Sequence, residues 1–471
     1  MEWIPRKLLM CLVTAVAFFS VVFSSSRLFG ETYYQLSADA KPQETSDLPT
    51  SGALFKDNSL RCDDSGCNRI LYCDKNQYCF GGWLQGGIMA NSRGWTGQNP
   101  LPGNVGQVTT GNTDPVLNQA WIFGEKQIDK NKCGFDWGWR VDFAYGSDMP
   151  GYQTFNDIGV LESPSYHNPH SFDYGWMTGG GLNPNTMETS ILYGAAMPQL
   201  YGEVKYNRLS AKFGRFLSPL DYESIMAVSD RNYFYSHSYA FNYLSPNTMV
   251  GAIAEYELNR QWTLVGGWTN GWDCGFGFGN RDGSAILGGI KTKPNANLGL
   301  SYMISVGDIY RQILPAMTPV PLNMSGFYQT LILDWKVNSR LNYGFDAAYG
   351  NDNYKLGVGP NVEFRQKSWS VANYLNYRWN CRWSTALRFE YADMNDGVPI
   401  VMNPLTNSFV QSHFGPTAPL GDVYSVTLGA TWKPFASERL AVRPEIRYDW
   451  FNTPVGTEDL LSAGTGVTWS F

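Results

Sequence analysis

The sequence predicts an all-β fold: a transmembrane, antiparallel, up-and-down β-barrel of about sixteen strands, with short periplasmic turns and long outer loops. Three observations carry that prediction. Short segments alternate apolar and polar residues along most of the chain, the period of a strand whose two faces meet different surroundings. The connections between them alternate short and long, as in outer-membrane barrels. The composition is rich in aromatics (17 Trp, 28 Tyr and 26 Phe in 471 residues) and only 16% charged, against roughly 25% in an ordinary soluble domain. A mean hydropathy of −0.28 excludes a polytopic helical membrane protein, because each helical span needs about 20 mostly apolar residues.

At the N-terminus, Arg6 and Lys7 precede an apolar run from Leu8 to Phe23, and Ser24, Ser25 and Ser26 follow. This order reads as a signal peptide over 1–26; the run is short for an anchor and is broken by Thr14 and Ser20. Residues 27–60 are polar without an apolar period and read as a linker. Residues 61–80 form a cysteine-rich segment with Cys62, Cys67, Cys73 and Cys79. Their spacing matches no common zinc motif and no His lies nearby, so in an exported chain they are disulfide candidates. Cys133, Cys274 and Cys381 stand apart. With Cys11 removed in the signal peptide, an odd number remains, so at least one thiol is free or pairs between chains.

The barrel is expected over 81–471. Sixteen candidate strands follow from the period: 83–92, 117–126, 135–146, 199–207, 209–217, 248–257, 261–271, 284–292, 296–306, 325–336, 341–350, 368–379, 382–392, 422–433, 439–449 and 462–471. In 341–350, Leu341, Tyr343, Phe345, Ala347 and Tyr349 share one face, and Asn342, Gly344, Asp346, Ala348 and Gly350 the other. In 439–449, Pro444 sits on the apolar face, where it cannot donate to a ladder. The long connections are 93–116, 147–198, 218–247, 307–324, 351–367 and 393–421, and an even strand number puts both ends on the periplasmic side. Segments 189–195 and 233–243 also alternate, so eighteen strands are an alternative. A soluble sandwich would carry more Lys and Glu on its outer face, and a propeller would show a blade repeat that is absent here.

The last strand ends on Val467, Trp469 and Phe471, which share one face against Gly466, Thr468 and Ser470. A terminal aromatic on an amphipathic strand is the expected signal to the barrel-assembly machinery, and it anchors in outer-membrane lipid at the headgroup belt. The register turns Arg140, Asp142, Glu203, Lys205, Lys212, Asp346, Arg378, Arg382, Arg388, Glu390, Arg443, Glu445 and Arg447 inward as pore-lining candidates. They can stiffen the wall as cross-strand ion pairs, set a transverse field that filters solutes, or both. The loop 218–247 is the favoured constriction, with Asp221, Glu223, Asp230 and Arg231 among Tyr222, Tyr233, Phe234 and Tyr235; the other candidate, 147–198, carries His167, Asp173 and Trp176.

No catalytic constellation is visible. The four His (His167, His170, His237 and His413) all fall in loops, no nucleophile elbow occurs, and no ligand set completes a metal site around His167 and His170. No cofactor is implied. A net charge of −6 argues against nucleic acid as a partner.

From about residue 80 onward the sequence resembles the β-barrel porin-2 family of OmpL-like outer-membrane porins. The resemblance is carried by QLYGEVKYNRLSAKFGRF at 199–216, YFYSHSYAF at 233–241 and TLVGGWTNGWD at 263–273. It implies an outer-membrane barrel and a porin, in the outer membrane of a Gram-negative-type bacterium, with no assigned pore residues to carry over. The cysteine-rich segment lies outside the resemblance. The expected function is passive diffusion of small hydrophilic solutes or ions, since no energy source is visible; the alternative is a structural or surface-binding barrel whose loops plug the lumen. An enzyme is not expected, a homo-oligomer is left open, and a TonB-dependent transporter, with about 22 strands and a plug, would need a longer chain.

Overall fold

The structure, a computed structural model, describes residues 72–73, 77–92, 115–129, 133–154, 172–173, 176–178, 193–276, 283–314, 320–356, 362–394, 421–435, 439–453 and 456–471. The expected signal peptide, the linker, Cys62, Cys67, His167, His170 and His413 lie outside the described residues, as does the side chain of Cys73.

Nineteen strands form one antiparallel sheet. Three are short: β1 (Tyr72–Cys73), β5 (Met177–Thr178) and β6 (Tyr193–Ala196). The other sixteen make the barrel. They are β2 (Tyr78–Asn91), β3 (Val116–Lys126), β4 (Phe135–Gly146), β7 (Leu200–Tyr206), β8 (Leu209–Leu217), β9 (Thr248–Glu257), β10 (Trp262–Trp272) and β11 (Ser284–Asn295). They continue with β12 (Leu298–Leu314), β13 (Val320–Lys336), β14 (Leu341–Leu356), β15 (Val362–Arg378), β16 (Trp383–Met394), β17 (Gly421–Trp432), β18 (Leu440–Thr453) and β19 (Gly456–Ser470). Each pairs with the next, and β19 pairs with β2 from Ser462↔Asn91 to Ser470↔Trp83, which closes the barrel. A closed barrel leaves no unpaired edge in the hydrocarbon.

All sixteen expected strands are present, and the eighteen-strand alternative is corrected. Residues 193–196 form β6, which only continues the line of β7: both pair with β4, and Met197, Pro198 and Gln199 interrupt them. Pro198 has no N–H to give to a ladder there. Residues 233–243 form no strand; they fold inside the lumen and end in one turn of π-helix, Ala240–Leu244. The expected loops 307–324 and 351–367 are shorter than predicted, because β12 and β13 run on to Leu314 and from Val320, and β14 and β15 to Leu356 and from Val362. Seventeen residues in β12 extend roughly 55 Å along the strand at about 3.3 Å per residue. That exceeds what an apolar band about 25 Å tall requires even with tilt, so these strands stand out beyond the membrane on the loop side. Pro444 is tolerated because β18 keeps its ladder to β19, while the ladder to β17 skips the pairs between Gly429↔Glu445 and Trp432↔Val442.

Outward positions are apolar and exposed, among them Ile122, Phe213, Ile286, Leu428 and Ile446. Near the periplasmic end an aromatic belt includes the stacked pair Trp383 and Trp432, directly opposite in the ladder with centroids 5.7 Å apart. The buried apolar clusters lie inside the barrel: Trp83, Trp121 and Met149 pack with Leu217, Ile225 and Phe241, and Tyr222 and Phe234 pack with Ile332, Ala372 and Tyr374. A lumen filled in this way needs a segment that crosses it, and 218–247 is that segment. Cys79 and Cys381 each take part in a disulfide, and Cys133 is a free thiol.

Candidate functional site: a loop folded into the lumen

Residues 218–247 leave β8 and return to β9 from the same end of the barrel. The two arms are tied where they enter: Ser218 N donates to the Asn247 carbonyl at 3.0 Å, and Thr248 N donates to Asp273 at 2.7 Å. Burial pushes the Asp273 carboxyl up to about 6 against its hydrogen bonds. An irregular chain inside a barrel must satisfy its own backbone. Here serines do so locally. The hydroxyls of Ser218, Ser224 and Ser229 accept from the N–H groups of Leu220, Met226 and Arg231, each two residues on, the short-range turn chemistry that Ser favours. Asn232 adds a cross-brace, accepting from Ser224 N and donating to the Ser224 and Met226 carbonyls.

The loop's aromatic side chains fill places where the wall has no Cβ. The Tyr222 ring lies on Gly344 of β14 and stacks on Tyr374 of β15, centroids 4.5 Å apart. Phe234 lies on Gly429 of β17. Tyr235 lies across Gly466 of β19 and Gly87 of β2, and its hydroxyl donates to Asn118 of β3 at 2.9 Å. Side chains at these four glycines would collide with the rings, so glycine here is a packing requirement.

Charged groups complete the docking. Glu223 accepts from Arg388 of β16 at 2.9 Å, from Ser238 N at 2.8 Å, and lies 2.9 Å from His237 Nδ1. Burial alone would raise its carboxyl, but Arg388, His237 and the Ser238 amide hold it down at about 2. Glu390 accepts from Tyr239 N, and Glu445 of β18 accepts from Tyr235 N and Ser236 N. Arg447 donates to the His237 carbonyl, Arg443 to the Ala227 carbonyl, and Arg231 pairs with Asp334 of β13 at 3.2 Å. On the other side, Gln119 of β3 donates to the Ile225 carbonyl and Arg140 of β4 reaches the Met226 sulfur. Asp148, at the mouth of β4, accepts from Asn118 and Gln119, and burial pushes it up to about 6. The contacts of the loop thus run around the wall from β13 through β19 and β2 to β4.

The pore-lining candidates separate accordingly. Asp346, Arg388, Glu390, Arg443, Glu445 and Arg447 are inner-wall residues covered by the loop, and Arg140 and Asp142 form a buried pair at 2.7 Å with Glu125 also on Arg140. Arg378 ends β15 at the periplasmic rim, where it donates to the Ser339 carbonyl. Arg382 is corrected: it is exposed in the periplasmic turn after β15, and its N–H donates to Asn380 Oδ1. Of the loop candidates, Asp221, Glu223 and Arg231 are buried and Asp230 is exposed. In the second long connection, Asp173 is buried in an ion pair with Arg215 of β8. Sequence reasoning missed Asn118, Gln119 and Asp449, which accepts from the Tyr239 hydroxyl at 3.0 Å, as loop anchors, and Glu255, Glu257, Lys291 and Lys293 as wall charges. The last four stand at or beside inward positions of strands it had found, so their parity was the available signal. Among the described residues no cluster of His, Cys, Asp and Glu is arranged to hold a metal.

On the side that the loop contacts above do not reach, a cavity of about 170 Å³ runs along β7–β12. The loop contributes Asp221, Glu223, Ser224, Ile225 and Arg231 to its lining; the strands contribute Glu203, Lys205, Lys212, Glu255, Lys291 and Ser301.

Residues 77–468 match the sequence profile of the family described as "Putative beta-barrel porin-2, OmpL-like". No curated protein matches the chain in sequence. Among solved structures, the outer membrane channel DcaP of Acinetobacter baumannii is 12% identical with a TM-score of 0.50, over 85% of this chain and 99% of that one. OmpT of Vibrio cholerae in its trimer form is 12% identical with a TM-score of 0.45, over 84% and 99%. Pseudomonas putida OprB is 11% identical with a TM-score of 0.46, over 84% and 94%.

Proposed function

The chain belongs to the OmpL-like β-barrel porin-2 family, and from that premise we propose that solutes cross beside the lumen loop, between its uncovered edge and the wall of β7–β12. The protein is an outer-membrane porin, a passive diffusion channel for small hydrophilic solutes. What supports this route is the one-sided docking of the loop. Residues 222–239 are fixed to β13–β19 and β2–β4 by aromatic, ionic and backbone contacts, and the cavity lies on the remaining side. A loop held this way narrows a sixteen-strand lumen, which would otherwise be wide and aqueous.

The test is single-channel conductance in planar bilayers of the purified barrel and of a variant lacking 222–236. The deletion is expected to raise conductance severalfold. Unchanged conductance in a folded variant would overturn the constriction role of 218–247. A wild-type barrel that shows no steps would favour the rival reading, a loop-plugged barrel.

The terminal aromatics support recognition by the assembly machinery. Val467, Trp469 and Phe471 lie exposed on the outer face of β19, while Phe471 exchanges backbone hydrogen bonds with Gly82 of β2. The same face would meet outer-membrane lipid. Oligomerisation through that face is part of the proposal; crosslinking in native membranes would detect it. The disulfide-bonded Cys79, at the start of β2, and Cys381, in the turn before β16, fit cross-links at the periplasmic rim.

A further inference from the structure

We propose that the passage beside the loop prefers small anions, and that the preference comes from the cationic side chains that β7–β11 and their periplasmic turns present to it. This rests on the route proposed above. The loop brings charge to the passage, but that charge is balanced. Glu223 is held by Arg388 and His237, and Arg231 by Asp334. Asp221 contacts the Ser245 hydroxyl, and burial drives its carboxyl well above the usual range, toward the neutral form.

The strand side is different. Lys205, Lys212, Lys291 and Lys293 line the cavity, with Arg208 and Arg260 from the periplasmic turns. The acids opposite them are Glu203, Glu255 and Glu257. Some pair: Lys291 Nζ lies 2.7 Å from Glu255, and Lys212 faces Glu203 directly across the β7–β8 ladder. Pairs within the set cancel, and over the strand and turn residues that line the cavity six cations stand against three acids, a positive excess. The nearby Asp136, opposite Lys205 in the β4–β7 ladder, has Lys126 beside it at 3.5 Å. The excess is local, since the whole chain carries −6. Low-dielectric walls focus such a field along a narrow path and raise the concentration of the counter-ion there. A ring of charged side chains is sufficient to select ions by sign.

The experiment is a reversal-potential measurement on the purified full-length barrel in a planar bilayer under a KCl gradient. The expected chloride-over-potassium permeability ratio lies above one. It should fall toward one in K205Q/K212Q and below one in K205E/K212E. K355Q should leave it unchanged, because Lys355 is exposed at the outer end of β14 beside Glu363. The glutamine pair carries the test if the glutamate pair fails to fold. A conducting barrel with a ratio at or below one, or a ratio unmoved by K205Q/K212Q, overturns anion preference and leaves the route standing. A folded barrel with no conductance overturns the route and the preference together.

Discussion

Glu223 and the four glycine sockets carry the loop at the scale of single residues. Gly344 has the Tyr222 ring against it, whereas Gly266, on the outer face of β10, has open space where a Cβ would stand. Overpacking a tight site costs about 1–3 kcal/mol. Gly344→Val is therefore expected to lower the temperature at which the barrel loses its heat-modifiable gel mobility, or to raise conductance by undocking Tyr222; Gly266→Val should do neither. Glu223 gives a pH signature. Its carboxyl is held at about 2 against an ordinary value of 4.5. A lowered value means docking energy present above pH 4.5 and lost as pH falls from there to about 2, on the order of 3 kcal/mol in all. Asp148 works the other way: raised from 3.8 to about 6, it weakens docking as pH rises from the first value to the second. The Glu223 gain is complete by about 4.5 and the Asp148 loss begins at its ordinary value of 3.8, so the loop should be held most firmly between those two values. Brief proteolysis of the folded barrel after Arg231, followed across pH, checks this. Cleavage should rise on acidification below 3.8, the ordinary value of Asp148, and E223Q should flatten that acid limb. An unchanged acid limb in E223Q would remove Glu223 from this role.

Elements were legible in the sequence wherever one face met lipid. Leu341 to Tyr349 shows why: lipid requires every second side chain to be apolar, so the period is visible and the register follows. The same rule fails above the membrane. In β12 beyond Val306, the run Gly307-Asp308-Ile309-Tyr310-Arg311-Gln312 lacks the alternation and reads as loop, although it pairs with β13 up to Leu314↔Val320. The loop's aromatics were legible, but their sockets were not. Gly87, Gly344, Gly429 and Gly466 come from four strands that only barrel closure brings around one lumen. The last strand carries a prediction of its own. The Trp469 and Phe471 side chains face outward, while the Phe471 backbone bonds to Gly82 do not depend on its ring. W469A/F471A should therefore refold in detergent to a heat-modifiable barrel of normal conductance, yet reach the outer membrane of cells in severalfold lower amount. Equal losses in detergent and in cells would mean that the rings serve the fold and not its delivery.

The whole molecule is held by a ladder whose closing pair joins the two ends of the barrel. The β19–β2 register links Ser470 to Trp83 and Ser462 to Asn91, so nearly the entire chain lies between partners. Contacts of such separation are slow to form, and until they do, β2 and β19 are open edges that invite pairing with another chain. The lumen loop adds to this arrangement without closing it, because its contacts run from a segment inside the barrel to walls that are already paired with one another. Wall and loop should then fail separately. Removing 456–471 is expected to abolish the heat-modifiable barrel and yield aggregate, because it exposes the edges of both β18 and β2. Removing 222–236 should leave a heat-modifiable barrel with a lower melting temperature, since it empties the sockets but breaks no ladder. Gel mobility of the two truncations, refolded side by side, decides the matter. If loss of 222–236 also abolishes the barrel, the loop is part of the folding core, and a freely removable constriction is excluded.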